Sequence, residues 1–362
     1  MGRKNLTCSS SIQMTRNAVV IAFALVLTIY LPTQSQPPPC GQLKVITLPL
    51  MGEYGGTGPF TVARNSIQHP DPAVPAPVSV YLPSNATTTN RLPVIFFAHG
   101  FGGFAFSYYD ALLRQVASNG YIVVFAPYSP NPLLSHPTLY QQMWSGFQLA
   151  IGQLGSLMDT TRVGFAGHSY GAGAVPELTR RGVAAGWGTN GLFMFVMAAW
   201  YSWGSNYDQI PAAAKLVVQI YWDDQTNQHL ISQNDVWNKL PQITERRWQV
   251  IRSDRRQCFL YAGHGVPVTG DAGDDGDGGI NAHDYWGPWR RIHALADYTF
   301  TGNVTAKTIA FGDDPQMGFW RLNGRRAVTP LETSTLPIIN TSTSPRFTWG
   351  AKCLYALGSP CP

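Results

Sequence analysis

The chain has 362 residues, of which 44% are hydrophobic and only 12% are charged. This composition is typical of a folded domain with a large core, and it excludes a disordered polyelectrolyte or a long coiled coil. The net charge is +5, but Arg3, Lys4 and Arg16 lie in a leading segment that has no acidic residue. In the remainder 22 basic residues face 20 acidic ones, so we expect no nucleic-acid partner.

An apolar run at Ala18–Leu31 is the first element of the chain, preceded by Arg16 and followed by the small residues Thr33 and Ser35. The run is shorter than the roughly 20 residues that span a bilayer. The pattern predicts a secretory signal peptide over residues 1–35, and an uncleaved N-terminal anchor is the alternative. We therefore expect a secreted, extracellular protein that meets the membrane only through this segment.

Four cysteines remain beyond this segment, at positions 40, 258, 353 and 361. An even number in an exported chain is compatible with two disulfides, and four cysteines allow three pairings. We favour a bond between Cys353 and Cys361, which would close a short C-terminal loop.

Short β-rich runs alternate with helical stretches between residues 36 and 320, which predicts an α/β domain with helices around a sheet. Apolar spacing predicts helices over Tyr108–Ser118, Leu139–Leu157 and Ala174–Ala184. Residues 321–362 are expected to form an irregular tail tied down by a disulfide. The predicted strands are Val78–Leu82, Val94–Ala98, Tyr121–Ala126, Arg162–Ala166, Leu192–Ala198, Leu216–Tyr221 and Cys258–Ala262.

The stretch from Arg162 to Gly173 carries the strongest chemical signal, because an apolar strand leads through G-x-S-x-G into a helix. Ser169 would occupy a strained turn between strand and helix, where Gly167 and Gly171 supply the necessary lack of bulk. The helix N-terminus then favours an incoming oxyanion. The pattern predicts that Ser169 is a nucleophile, and a chance Gly-Ser turn is the alternative.

A second glycine-rich turn, His99–Gly103, follows the predicted strand Val94–Ala98. A turn of this kind can present backbone N–H groups to a carbonyl oxygen that gains negative charge. We assign the oxyanion hole to the amides of Phe101 and Tyr170. His99 and His168 precede their turns, so we expect them to be scaffolding residues and not bases.

The sequences HGFGG and GHSYGAG, with the strand order, resemble the α/β-hydrolase superfamily. Within it the chain is similar to the branch of cutinase-like polyester hydrolases, platelet-activating-factor acetylhydrolases and chlorophyllases. The resemblance covers roughly residues 55–312 and implies a twisted, mostly parallel sheet of about eight strands flanked by helices. It also implies an ester hydrolase, with residues 36–320 as the catalytic domain.

The superfamily places the acid after the nucleophile in the chain. The predicted strand Leu216–Tyr221 ends just before Asp223 and Asp224, where a carboxylate is well placed to orient an imidazole. Family members place the acid a few residues beyond the strand, which favours Asp224 and leaves Asp223 as the alternative.

The catalytic histidine of the superfamily follows the acid. His264 is the preferred base because glycines on both sides let its loop carry the ring across the top of the sheet. His283 is the rival. His229 is too near the acid in sequence, and His293 lies within a helical stretch.

Three aromatic residues, Trp200, Tyr201 and Trp203, follow the predicted strand Leu192–Ala198. Aromatic rims bind apolar acyl groups, so we expect these residues to line the substrate-binding cleft. The alternative is that they pack beneath a loop.

The acidic run Asp271–Asp284 partly matches the register of a calcium loop, but its first position would be Gly273, which has no ligand side chain. We expect a flexible acidic loop and no metal site.

Together these patterns predict a secreted, monomeric serine hydrolase that cleaves small-molecule or polymeric carboxylic esters through a Ser169-Asp224-His264 triad, without a cofactor. One alternative is a catalytically inactive secreted binding protein on the same scaffold. Another is a true interfacial triacylglycerol lipase. The stretch Leu192–Asp224 contains no long amphipathic helix to serve as a lid, so we expect activity on soluble esters without a jump at the micelle threshold.

Overall fold

The computed structural model describes residues 51–254, 260–270, 279–312, 321–322, 326–327, 329–359 and 361. All of them belong to one compact unit, Pro37–Pro362. The predicted signal segment, Cys40 and Cys258 lie outside the described residues. Within the described ranges, no helix is long and apolar enough to cross a membrane.

Most described strands join a single sheet. The bounds of the eleven strands in the described part of the chain are β1 Val62–Ile67, β2 Val78–Pro83, β3 Leu92–Ala98, β4 Ile122–Phe125, β5 Met158–His168, β6 Gly191–Met197, β7 Lys215–Tyr221, β8 Glu245–Ile251, β9 Arg321–Leu322, β10 Arg326–Ala327 and β11 Glu332–Ser334. Nine form the sheet in the order β1-β2-β4-β3-β5-β6-β7-β8-β11, and β9 pairs only with β10. The six neighbouring strands β4-β3-β5-β6-β7-β8 run parallel, so their carboxyl ends share one edge of the sheet.

The helices lie between the strands of the parallel core or after it. Their bounds are α1 Asp110–Ser118, α2 His136–Leu154, α3 Ser169–Ala184, α4 His229–Asp235, α5 Ala282–Asp284, α6 Arg290–Thr301 and α7 Val304–Phe311. Local chemistry fixes the start of α2, because the Ser135 side chain accepts a hydrogen bond from the Thr138 amide and Pro137 occupies the first turn.

Both faces of the sheet are covered, which explains why its central strands are apolar throughout. In β3, Phe96 points into the core shared with α2 and α3, whereas Phe97 points into the core shared with α1, α6 and α7. Strands buried on both faces lose the usual alternation of apolar and polar residues. The predicted α/β architecture, with a mostly parallel sheet flanked by helices, is confirmed.

One predicted strand is wrong in its described part. Leu260 makes a single bridge to Asp254, and the residues at 261 and 262 lie in a loop. The last parallel position is instead taken by β8, whose first half, Glu245 to Arg247, is charged and gave no strand signal. Composition misled the prediction because aromatic and other apolar residues also line buried loops.

The C-terminal region contributes to the sheet and also crosses the aromatic residues after β6. Strand β11 pairs antiparallel with β8, with Thr333 opposite Gln249. Farther on, a disulfide joins Cys353 to Cys361, the pairing favoured from the sequence. Strand β11 is therefore packed against the domain, while the boundary at residue 320 stays a prediction.

Candidate active site

Ser169 occupies a sharp turn between β5 and α3. Its φ angle is +54°, a value that residues with a Cβ rarely adopt and that marks local backbone strain. A Cβ on Gly171 would come within 2.1 Å of the Ala98 carbonyl oxygen, and one on Gly167 would lie 2.8 Å from the Gly171 backbone. The turn therefore requires glycine at both positions, as the motif predicts.

Three predicted residues meet at the carboxyl edge of the sheet. His264 Nε2 lies 2.8 Å from Ser169 Oγ, and His264 Nδ1 lies 2.8 Å from Asp224 Oδ2. An ionised carboxylate only accepts hydrogen bonds, so Nδ1 carries the proton and Nε2 presents its lone pair to the serine hydroxyl. Ser169 is thus placed beside a group able to take its proton.

The Asp224 carboxylate is held on both oxygens. Oδ1 accepts hydrogen bonds from the amides of Thr226 at 2.7 Å and Asn227 at 2.9 Å, while Oδ2 accepts from His264. The Asp224 side chain is 1% exposed and that of His264 is 15% exposed. A buried carboxylate with these fixed donors can orient the imidazole without rotating away.

The two rivals from the sequence occupy supporting positions. Asp223 accepts a hydrogen bond from the Ser253 hydroxyl, and its carbonyl accepts one from Tyr261 at 2.8 Å. The buried His283 ring hydrogen-bonds to the backbone of Tyr261, and burial lowers its pKa to about 4. Both residues therefore brace the loop that leads to His264.

A buried network connects this loop to the glycine-rich turn. The His168 Nε2–H donates to the His264 carbonyl at 2.8 Å, and His168 Nδ1 accepts from the Tyr109 hydroxyl at 2.9 Å. The Tyr109 oxygen accepts the Gly100 amide hydrogen at 3.0 Å. Burial, with a smaller contribution from His264, holds the pKa of His168 well below its usual range, so the ring stays neutral.

The two predicted oxyanion donors lie on segments that converge at the nucleophile. A Cβ on Gly100 would lie 3.3 Å from Ser169 Cβ, so the turn that carries Phe101 borders the serine directly. Tyr170 is in the first turn of α3, where backbone N–H groups have no acceptor within the helix. Both amides therefore belong to segments that adjoin Ser169.

His99 holds the glycine-rich turn in place through hydrogen bonds to the backbone. Its Nδ1 donates to the Gly100 carbonyl at 2.7 Å, and its Nε2 accepts from the Tyr128 amide at 3.2 Å. The ring also stacks on the Tyr128 ring at 4.2 Å. Burial lowers the pKa of His99 to about 3, so it remains a neutral scaffold residue.

Of the three predicted rim aromatics Trp200 adjoins Ser169, and all three are largely covered. The Trp200 amide donates to the Ser169 carbonyl at 2.8 Å, and the Trp200 ring lies 5.4 Å from the Tyr170 ring. Trp200 and Trp203 are each 9% exposed, and Tyr201 is fully buried. By contrast, Phe101 is 48% exposed, and its ring centroid lies 6.1 Å from that of Tyr170.

The cover over these aromatics is the segment of residues 345–359, which we call the C-terminal strap. Phe347 and Tyr355 each pack against Trp200 with ring centroids 5.8 Å apart. The Tyr201 hydroxyl donates to the Thr348 carbonyl at 2.5 Å. The prediction for residues 321–362 is only an irregular tail, which does not indicate that this segment covers Trp200 and Tyr201.

Most of the acidic run after residue 270 lies outside the described residues, including positions 271–278. Its last member, Asp284, is buried, and its Oδ2 accepts the Asn281 amide hydrogen at 2.8 Å to cap α5. Within the described ranges, no cluster of three or more His, Cys, Asp or Glu side chains could hold a metal ion.

A model of the Chlorophyllase family matches residues 53–136. The match spans β1 to the first residue of α2 and includes the turn at His99–Gly103, but it ends before Ser169. Chlorophyllases are a family of the α/β-hydrolase superfamily. The present fold is an α/β-hydrolase fold.

This match indicates a carboxylic ester hydrolase of the α/β-hydrolase type. The chlorophyllases are one of the three groups that the sequence resembles, and the likeness to the other two stays a prediction. No curated protein matches the chain in sequence.

Proposed function

We propose that this protein is a secreted serine hydrolase that cleaves carboxylic esters through an acyl-enzyme. The hydrogen-bonded series Ser169-His264-Asp224, with 2.8 Å at each step, is the observation that carries the proposal. It combines a nucleophile, a base and an orienting carboxylate in the arrangement that activates a serine hydroxyl. Ser169 is the nucleophile, His264 the general base and then acid, and Asp224 the orienting residue.

In the acylation step Ser169 Oγ attacks the ester carbonyl carbon while His264 Nε2 takes the hydroxyl proton. The carbonyl oxygen becomes an oxyanion, which the amides of Phe101 and Tyr170 are positioned to stabilise. The intermediate then collapses, and the imidazolium returns the proton to the leaving alkoxide, which departs as an alcohol. Asp224 stabilises the imidazolium and stays ionised, while the proton on Nδ1 remains on the His264 ring.

In the deacylation step a water molecule replaces the alcohol. His264 takes a proton from the water as its oxygen attacks the acyl carbon, and the same oxyanion hole holds the second intermediate. Collapse releases the carboxylic acid, and His264 returns the proton to Ser169 Oγ. The proposed residues therefore complete both half-reactions, and each proton that His264 takes up is returned.

We assign the apolar contacts with the acyl group to Phe101, Trp200 and Trp203, which lie around the nucleophile. Tyr201 is the deeper member of the predicted rim, and its hydroxyl is used by the C-terminal strap. Between β6 and β7 the chain forms a loop with one 3₁₀ turn, Tyr207–Gln209, which supports a cleft without a helical lid. Soluble esters of short to medium acyl chains are the expected substrates.

Secretion is supported by the disulfide at the C-terminus, because such bonds persist in oxidising compartments. The apolar run at Ala18–Leu31 supplies the export signal in this proposal. N-terminal sequencing of protein from the culture medium should begin at Gln36. An intact N-terminus in a membrane fraction would favour the anchor. The monomeric state stays a prediction.

The test is a chain-length series of p-nitrophenyl esters, below and above the micelle threshold, with chlorophyll added to the panel because the matched family is named for it. We expect turnover of short esters below the threshold, complete loss in Ser169→Ala, and unchanged turnover in the control Ser145→Ala. Activity that appears only at the interface would favour a lipase. Binding of esters without turnover would favour the inactive binding protein.

A further inference from the structure

We infer that the C-terminal strap, residues 345–359, is a positioning element of the active site that holds the acid loop and the oxyanion segment in place. The inference rests on the proposed function. None of the predicted site residues lies in the strap, and the family match ends more than two hundred residues before it. The strap nevertheless contacts the chain within two residues of Asp224, and it reaches Tyr170, the residue after Ser169, through His136.

The first contact is with the loop that follows the catalytic acid. The strap pairs with this loop as a short parallel ladder: the Arg346 amide donates to the Gln225 carbonyl at 2.8 Å, and the Phe347 amide donates to the Thr226 carbonyl at 2.8 Å. The Gln228 amide returns a bond to the Phe347 carbonyl at 2.9 Å. The Thr226 amide also donates a hydrogen bond to Asp224 Oδ1. The strap therefore holds in place the residue whose amide orients the Asp224 carboxylate.

The second contact reaches the residue after the nucleophile. The Tyr355 carbonyl accepts a hydrogen bond from His136 Nε2 at 2.6 Å, so His136 Nδ1 is left to accept from the Tyr170 hydroxyl at 2.9 Å. His136 is buried and stacks on Trp203 at 4.3 Å. The strap is therefore connected through one imidazole to the side chain of an oxyanion residue.

Two features hold the strap itself. The buried Lys352 ammonium, 4% exposed, donates to Asp235 at 2.7 Å and to the Ser202 carbonyl at 3.0 Å. The disulfide between Cys353 and Cys361 closes the end of the segment. A buried ion pair adds little net stability compared with an apolar pair, but it specifies one geometry because each charge needs its partner.

These contacts indicate that the strap positions the active-site residues and does not merely cover them. The contacts with Gln225 and Thr226 are made to backbone groups next to the proposed acid. Small displacements of catalytic groups cost large factors in rate, about a hundredfold for 1 Å. Loss of the strap geometry should therefore lower kcat, while KM for a small acetyl ester changes little because that substrate makes few rim contacts.

The experiment compares variants that loosen the strap with a control at the opposite edge of the sheet. Lys352→Met removes the cation, and Cys353→Ser with Cys361→Ser removes the disulfide. The control Glu245→Gln weakens a partly buried ion-pair cluster with Lys215 and Lys307. All assays use p-nitrophenyl acetate well below each unfolding temperature.

We expect about a tenfold lower kcat for both strap variants, with KM within about twofold and slower phosphonate labelling of Ser169. Glu245→Gln should lose thermal stability and keep its kcat. The double variant Asp235→Asn with Lys352→Met separates the two effects. It leaves no unpaired buried charge, so stability should recover, but the strap stays untied and kcat should stay low.

Recovery of kcat together with stability in the double variant would overturn the inference and leave a merely structural strap. Wild-type kcat in the disulfide variant and in a folded Lys352→Met variant would overturn it as well. If Lys352→Met does not fold, the double variant and the disulfide variant decide the question alone. Absence of esterase activity in the wild type would instead refute the proposed function.

Discussion

Replacing Tyr109 by Phe removes one hydroxyl from the network that connects the glycine-rich turn to His264, the proposed general base. The change is isosteric apart from that group, which lies in a buried side chain between the Gly100 amide and His168 Nδ1. The Gly100 N–H is then left buried without its acceptor, at a cost of about 1–3 kcal/mol. The glycine-rich turn can relieve this cost only by moving, which displaces the amide of Phe101.

If about half of that cost appears as a misplaced oxyanion donor, the barrier rises by about 0.5–1.5 kcal/mol, which corresponds to a kcat about 2- to 13-fold lower. KM for p-nitrophenyl acetate should stay within about twofold, because the substrate contacts are unchanged. The control is Tyr81→Phe, which removes a hydroxyl bonded to Asp110 at 2.9 Å on a strand away from the site. Equal unfolding free energies of the two variants with wild-type kcat in both would refute the reasoning.

Three further outcomes follow from the site and its surroundings. His264→Ala should lower kcat by at least about 1,000-fold, whereas His283→Ala should keep most activity in steady-state assays and lose about 1–3 kcal/mol in urea unfolding; the reverse pattern would exchange their roles. Gly171→Ala should fail to accumulate as folded protein, because its Cβ would clash with the Ala98 carbonyl, and a stable, active variant would show that the turn can adapt. Burial lowers the pKa of His283 and His293 from 6.5 to about 4, so below pH 6.5 the unfolded chain binds protons that the folded chain refuses. The free energy of unfolding should therefore fall between pH 6.5 and pH 4, by about 2 kcal/mol per histidine at pH 5, and a slope that stays unchanged in His293→Leu would contradict this assignment.

The nucleophile turn and the central strands could be predicted because their requirements are local. Ser169 needs glycines at fixed spacing between an apolar strand and a helix, and all of that lies within a dozen residues. The proximity of Asp224 and His264 to Ser169 could also be predicted, because parallel strands end at one edge and the loops beyond them meet there. The family order only required a histidine after the acid, and the glycines on both sides of His264 favoured it over His283.

The remaining parts depend on contacts between distant segments. Strand β8 begins with three charged residues, of which Glu245 pairs with Lys215 of β7 and Lys307 of α7, so its apolar half was too short to indicate a strand. Tyr109 and His168 meet across the site through single hydrogen bonds, which leave no pattern in sequence. The strap is rich in turn residues and gains its order from partners more than a hundred residues away.

Labelling with a fluorophosphonate tests the central claim most directly, because this reagent reacts with an activated serine hydroxyl. Intact-mass measurement and peptide mapping should show one adduct per chain, on Ser169. The labelling rate should fall at least about a hundredfold in Asp224→Asn, which removes the charge that orients His264, and stay near wild type in Asp223→Asn. A folded wild-type protein that stays unlabelled, carries the adduct elsewhere, or loses labelling only in Asp223→Asn would contradict the proposed triad.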